Sequence, residues 1–192
     1  VGLGDLFAVH HLSDIRLTKD TQVLGWKKKP EGLYWRLIEE GTISKDAAKL
    51  PGVEILIDKT PRPNYKDGKQ FHKNDPLGPL LARLREEKKI TTYKGIPKTS
   101  RFWTSPDPEL TQVILPEIAK LLGEDALEVR LPTEIEFNIL GNFIYPHFGE
   151  ANTWECFADE FKLAYRLLGG SSDNGGLANV DGFLSVRNLG AI

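Results

Sequence analysis

Cysteine is almost missing from this chain: Cys156 is the only one in 192 residues. One thiol cannot close an internal disulfide, and it cannot supply the paired thiolates that bind soft Cu(I). Such usage favours a reducing compartment, or a surface assembled from one. A surplus of charge is missing too. Lys plus Arg number 25 and Asp plus Glu 27, a net charge of -2. That balance points neither to nucleic acid nor to a membrane surface. The basic stretches Lys27-Lys28-Lys29 and Arg83 to Lys98 read as solvated faces, the second diluted by Glu86, Glu87 and nearby Asp75. No apolar run approaches the roughly 20 residues that a membrane helix needs. The opening VGLGDLFAVHHLSDIRL lacks a basic region ahead of a long apolar core, so no secretory signal is read in it.

Metal-ligand spacing is absent as well. His10 and His11 are adjacent, which sends them to different faces of a strand or helix. His72 stands alone in a loop-like stretch, and no H-x-x-x-H-x-E pattern occurs. Asp173, Asn174, Asn179 and Asp181 could offer oxygens, but not in the order of a calcium loop. No metal and no cofactor is expected. Adjacent acids such as Glu39-Glu40 and Asp159-Glu160 read as solvated surface.

What is present suits a globular chain: 40% apolar and 27% charged residues, with no repeat and no low-complexity segment. LYWRLIEEG (33–41) has helical spacing and a glycine stop. Ser44 and Asp46 can open a short helix that Pro51-Gly52 ends, and VEILID (53–58) reads as a strand. Leu77, Leu80, Leu81 and Leu84 share one helix face. SPDPELTQVILPEIAKLLG (105–123) predicts a helix that Ser105 or Asp107 can cap, broken or kinked at Pro116 and stopped at Gly123. Thr133 and Glu136 form a T-x-x-E capping box ahead of another amphipathic helix, and Glu134 adds first-turn charge that the helix dipole favours.

"RLPTEIEF" (130–137), directly after a helix that ends in LLG (121–123), is the most specific stretch. It resembles the RLPTEAEWE element of the formylglycine-generating-enzyme-like domain, a variant of the C-type lectin fold. That family continues with W-E-W, then R-x-x-x-GGS-W and a closing GFR strand. Trp154-Glu155-Cys156, YRLLGGSS (165–172) and DGFLSVR (181–187) follow here in the same order, with a shortened segment after Gly170. The resemblance implies an α+β, C-type-lectin-like fold over residues 51–192. Residues 1–50 would form an N-terminal extension packed on it, and 154–190 the ligand-binding region. Arg130, Pro132, Thr133 and Glu136 are read as scaffold.

The family's cysteine oxidases use two cysteines, and its iron-dependent sulfoxide synthases use histidines and a glutamate from an N-terminal helical domain. This chain has neither set, so the resemblance implies a protein that is not an enzyme, with Cys156 a small buried hydrophobe. The family also includes the variable proteins of diversity-generating retroelements, which diversify C-terminal positions through adenines in selected codons. Their products favour Asn, Ser, Asp, Gly, Tyr and His. "GGSSDNGGLANVDGFLSVR" (169–187) has a comparable composition. The resemblance then implies a display protein for an unknown protein or glycan ligand. Ser172, Asp173, Asn174, Asn179, Asp181, Ser185 and Asn188 would project in one patch, with Trp154, Phe157 and Tyr165 as an aromatic wall. Gly169, Gly170, Gly175, Gly176, Leu177, Val180, Gly182, Phe183 and Val186 would be scaffold. A cytoplasmic, surface or virion-associated place all fit. Two alternatives stay open: an enzyme of this type with an unknown reaction, and a plain lectin-like carbohydrate-binding module. Gly, Ser, Asn and Asp are also ordinary turn residues.

Overall fold

The computed structural model describes residues 7–64, 70–103, 107–123, 129–161, 165–181 and 190–191. Near the N-terminus two short antiparallel ribbons form. β1 (Phe7–His11) pairs with β4 (Glu54–Asp58), and β2 (Asp14–Arg16) pairs with β3 (Lys49–Pro51). Alternation decides their faces. Ile55 and Ile57 pack against the core, while the cross-strand partners Val9 and Leu56 are exposed. His10 and His11 part in the same way: His10 Nε2 lies 2.5 Å from the Tyr145 hydroxyl, and His11 is exposed.

Between β2 and β3 lies α1 (Gly32–Glu39), which buries Tyr34, Trp35 and Leu37. The chain leaves it through Gly41 at φ 68, a conformation that glycine adopts without steric cost. A short 3-10 turn, Lys45–Ala48, follows, its N-cap Ser44 accepting from the Asp46 amide. α2 (Gly78–Glu86) buries Leu80, Leu81 and Leu84. The long helical stretch after it has three parts: α3 (Asp107–Glu109), a π turn (Leu110–Ile114) and α4 (Leu115–Leu122). The π turn stands just ahead of Pro116. Proline has no N–H to donate and its ring crowds the preceding turn, so the bonding register slips there instead of breaking the helix. Gly123 stops α4 at φ 76. α5 (Glu134–Phe143) starts on the complete capping box: the Thr133 amide donates to Glu136 Oε2, and the Glu136 amide donates to Thr133 Oγ1.

The main sheet has the order β5-β9-β6-β7-β8, formed by β5 (Phe102–Trp103), β6 (Glu155–Phe161), β7 (Tyr165–Gly169), β8 (Val180–Asp181) and β9 (Gly190–Ala191). Among the described residues, only the β6–β9 pairing is parallel. Helices and mostly antiparallel small sheets make this a mixed, α+β arrangement.

The sheet is covered on both faces. Phe157 and Leu167 point into one core, with α1, α5 and the N-terminal ribbons. Their neighbours Cys156 and Leu168 point into a second core, with α2, the π turn and α4. Phe157 and Leu167 are fully buried, each burial contributing about 1.5–3 kcal/mol. The N-terminal segment is integral to the first core, since Leu12, Leu17, Trp26, Tyr34, Ile43 and Leu50 lie inside it. Among the described residues no helix is long and apolar enough to cross a membrane.

Candidate ligand-binding face

The glycine-rich stretch begins where β7 ends. Gly169 lies opposite Glu155 in the hairpin, and a Cβ on it would overlap the Asn179 carbonyl. Gly170, at φ 78, reverses the chain against Phe137 and Glu155. Ser171 is fully buried. Its hydroxyl lies 3.1 Å from Asn152 Oδ1, and its carbonyl accepts from the amides of Asn174 and Gly176 at 3.0 and 2.9 Å. The Ser172 amide donates to the Ala151 carbonyl at 2.9 Å. These bonds fold Ser172–Asn174 into one 3-10 turn, whose three side chains are exposed. Gly175 and Gly176 have φ 117 and 63, and a Cβ on Gly176 would meet the Gly149 carbonyl at 2.7 Å. Leu177 and Val180 then return to the first core.

The anticipated site residues divide here. Ser172, Asp173 and Asn174 share the turn. Asn179 does not project: it is 5% exposed and its Oδ1 is buried without a hydrogen bond. Its backbone is the reason. The Asn179 carbonyl accepts from Gly170 and its amide donates to Gly176, which draws the residue inside the loop. Asp181 is half-buried in β8. Trp154 precedes β6 at the end of the sheet where Glu155 faces Gly169, and it is half-buried against the second core. Tyr165 is exposed but begins β7, four residues and about 13 Å of strand from Gly169. Phe157 is core rather than wall. Ser185 and Asn188 lie outside the described residues, as do Gly182, Phe183 and Val186.

Sequence reasoning missed the N-terminal residues beside the turn. The Glu31 amide donates to the Ala178 carbonyl, and Glu31 Oε1 lies 3.4 Å from a Cβ built on Gly175. Burial, and then Asp181, raise the Glu31 carboxyl above its ordinary pKa. Lys28 Nζ lies 3.8 Å from a Cβ built on Gly176. Asn138, fully buried on α5, fastens this contact. Its Oδ1 accepts from Trp26 Nε1 at 2.7 Å, and its Nδ2 donates to the carbonyls of Lys28 and Leu177 at 2.9 and 2.6 Å. An asparagine on a helix face carries no mark that would reveal this role from sequence.

The RLPTE corner is a scaffold with one surprise. Arg130 grips the Glu136 carboxylate with two bonds, at 2.7 and 2.6 Å. Glu134 is not a first-turn surface charge. It is fully buried, and neither carboxyl oxygen has a hydrogen bond. The strand residue Asp159 covers it, accepting from the Glu134 amide at 2.6 Å. Burial pushes the Asp159 carboxyl up to about 7, and burial with Asp159 pushes Glu134 well up.

A second buried ionic group lies beside β4. Arg101, 1% exposed, bonds Asp75 through Nε and Nη2 at 2.7 and 2.9 Å and Asp58 through Nη1 at 2.6 Å. Burial raises the Asp58 pKa, but Arg62, Arg101 and Thr60 outweigh it and hold the carboxyl at about 2. Among the described residues no group of three or more His, Cys, Asp or Glu side chains could hold a metal ion. Comparison with models of protein families, with curated proteins and with solved structures found no match.

Proposed function

We propose that the protein is a ligand-binding display protein on a C-type-lectin-like scaffold of the formylglycine-generating-enzyme type, of the kind that diversity-generating retroelements vary. The observation that carries this reading is the turn at Ser172–Asn174. Its side chains are exposed, while the residues that hold it, Ser171, Gly176 and Leu177, are buried. The backbone bonds from Ser171 and Ala151 fix the turn, and the Asn174 side chain adds one long bond, its Nδ2 donating to Ser171 Oγ at 3.5 Å. Small polar groups on a fixed backbone give adaptable hydrogen bonding, as in antibody loops. Asp181, Glu31 and Lys28 border the face and supply charge. Cys156, 3% exposed in the second core, is assigned a packing role and no catalysis.

The binding test is a glycan and protein array probed with the wild type and with a Ser172→Arg/Asn174→Arg variant of equal melting temperature. Features bound by the wild type and lost by the variant are expected. An array that binds neither protein, or both alike, rejects the ligand face. Diversification is tested by the DNA around the gene: a reverse transcriptase with a near-copy of the 3′ coding end that differs at adenines is expected. Without the near-copy, the reading reduces to a lectin-like binder.

A further inference from the structure

A cavity of about 390 Å³ lies where the two cores meet, along the ribbon strand β4. Phe137 and Leu140 line it from the first core, and Leu77, Ile118, Leu131 and Cys156 from the second. Its volume falls in the range of about 300–1,000 Å³ that small-molecule sites occupy, and its lining is largely apolar. Two polar atoms on lining residues are buried without a hydrogen bond: Arg62 Nε and His147 Nε2. Groups of this kind are seldom left unpaired in a folded protein.

The charges around the cavity narrow the ligand. Each guanidinium on the lining already faces a carboxylate. Arg130 is held by Glu136, and Arg101 by Asp58 and Asp75. Arg62 Nη1 lies 3.6 Å from Asp58, and its Nε lies 3.5 Å from Glu155 without hydrogen-bond geometry. Among the described lining residues no guanidinium is left without a carboxylate for an anionic ligand. A cation offers no acceptor to the Arg62 Nε–H. A neutral oxygen satisfies that donor and adds no charge to a low-dielectric space. His147 Nε2 can serve the same polar end, as donor or acceptor according to its tautomer.

We propose that this cavity binds a small uncharged molecule with an apolar body and an oxygen acceptor at one end, which takes the Arg62 Nε–H. The site is separate from the display turn, because Ser172, Asp173 and Asn174 do not line it.

Prodan, a neutral naphthalene with a ketone, is a suitable probe, and its emission shifts blue in an apolar site. The sole cysteine gives a second readout, since Cys156 is on the lining and can be labelled with methyl methanethiosulfonate. We expect saturable one-to-one Prodan binding and at least tenfold slower labelling of Cys156 at saturation. Arg62→Met should weaken binding about tenfold, the scale of one lost hydrogen bond. Leu122→Trp, which fills the cavity from α4, should remove binding. Anilinonaphthalene sulfonate, anionic but similar in size, should bind at least tenfold more weakly than Prodan. Alanine at Ser172, Asp173 and Asn174 together should leave Prodan binding unchanged. Failure to saturate, equal binding of the anionic probe, or labelling of Cys156 that Prodan does not slow overturns the proposal. So does a Cys156 that stays unlabelled with and without probe, because the cavity is then closed to small molecules. If Leu122→Trp does not fold, the labelling result on the wild type decides alone.

Discussion

Asn138→Ala is the most informative single perturbation. The side chain is fully buried and bonds four groups: the Trp26 indole N–H, the carbonyls of Lys28 and Leu177, and Asn142 Nδ2, which donates to its Oδ1 at 3.1 Å. After truncation the Lys28 carbonyl keeps a bond from Asn142 Nδ2 and sits at an exposed edge, so its loss is small. The Trp26 N–H and the Leu177 carbonyl stay buried, and each orphaned group costs about 1–3 kcal/mol. The sum is about 2–6 kcal/mol. For a chain of this length each kcal/mol lowers the melting temperature by about 2–4 °C, so a drop of about 4–24 °C follows. Urea unfolding followed by tryptophan fluorescence measures the free energy directly. Asn142→Ala is the control. Its Oδ1 accepts from the amides of Lys27 and Lys28 at an exposed edge where water can replace it. Its Nδ2 donates to Asn138 in part-buried bonds whose acceptors, the Asn138 carbonyl and Oδ1, keep other partners in α5 and Trp26, so the cost should stay below that of Asn138→Ala, at about 1 kcal/mol. A double-mutant cycle with Trp26→Phe isolates the indole bond and should return a coupling of about 0.5–3 kcal/mol. A loss under about 1 kcal/mol for Asn138→Ala, or a coupling near zero, would refute the reasoning.

Three further outcomes are expected. Thr133→Ala removes the capping-box acceptor at the start of α5 and should cost about 0.5–2 kcal/mol in urea unfolding, with array binding intact. Asp75→Ala strips Arg101 of two of the three bonds it makes to carboxylates among the described residues and should cost about 3–5 kcal/mol, read by the same assay. Asp159→Asn should stabilise the protein at pH 7.5 and not at pH 4 in thermal melts. The folded pKa of Asp159 is raised to about 7, so the folded state holds the proton that the unfolded chain releases near pH 4. That contribution is complete below about pH 4 and is lost as pH rises towards 7, with a slope of up to about 1.4 kcal/mol per pH unit. A destabilising Asp159→Asn at pH 7.5 would contradict it.

The legible parts of this fold are those that close within a few residues. Thr133 and Glu136 are three apart and bond each other, Pro116 displaces its own turn, and adjacent His10 and His11 must diverge on a strand. Burial that depends on distant chain was not legible. PTE reads as an acid at a helix start, and nothing near it announces that Asp159 on β6 will cover Glu134. Within the Ser-Asp-Asn run, composition could not separate Asn174, which projects, from Asn179, which is drawn in by two backbone bonds. The cavity escaped for the same reason. It belongs to the meeting of two cores, and no period in the sequence encodes a space between elements.

The N-terminal segment shows how far this dependence reaches. Trp26 and Asn138 are 112 residues apart in the chain, yet the same Asn138 side chain bonds both Trp26 and the carbonyl of Leu177, just past the Ser172–Asn174 turn. Glu31 ties the same place from the other side through Ala178. The turn is therefore set by its buried flanks and by the N-terminal segment, far from it in the chain. Among its exposed side chains, Asn174 adds only one long bond, to Ser171 Oγ at 3.5 Å. Substitutions at Ser172, Asp173 and Asn174 should then stay within about 0.5 kcal/mol, the range of ordinary surface changes. Gly176→Ala must instead move the Gly149 carbonyl from a 2.7 Å overlap while holding alanine at φ 63. Freedom in the side chains and rigidity in the backbone go together here, because the turn is held chiefly by backbone bonds and by its buried flanks.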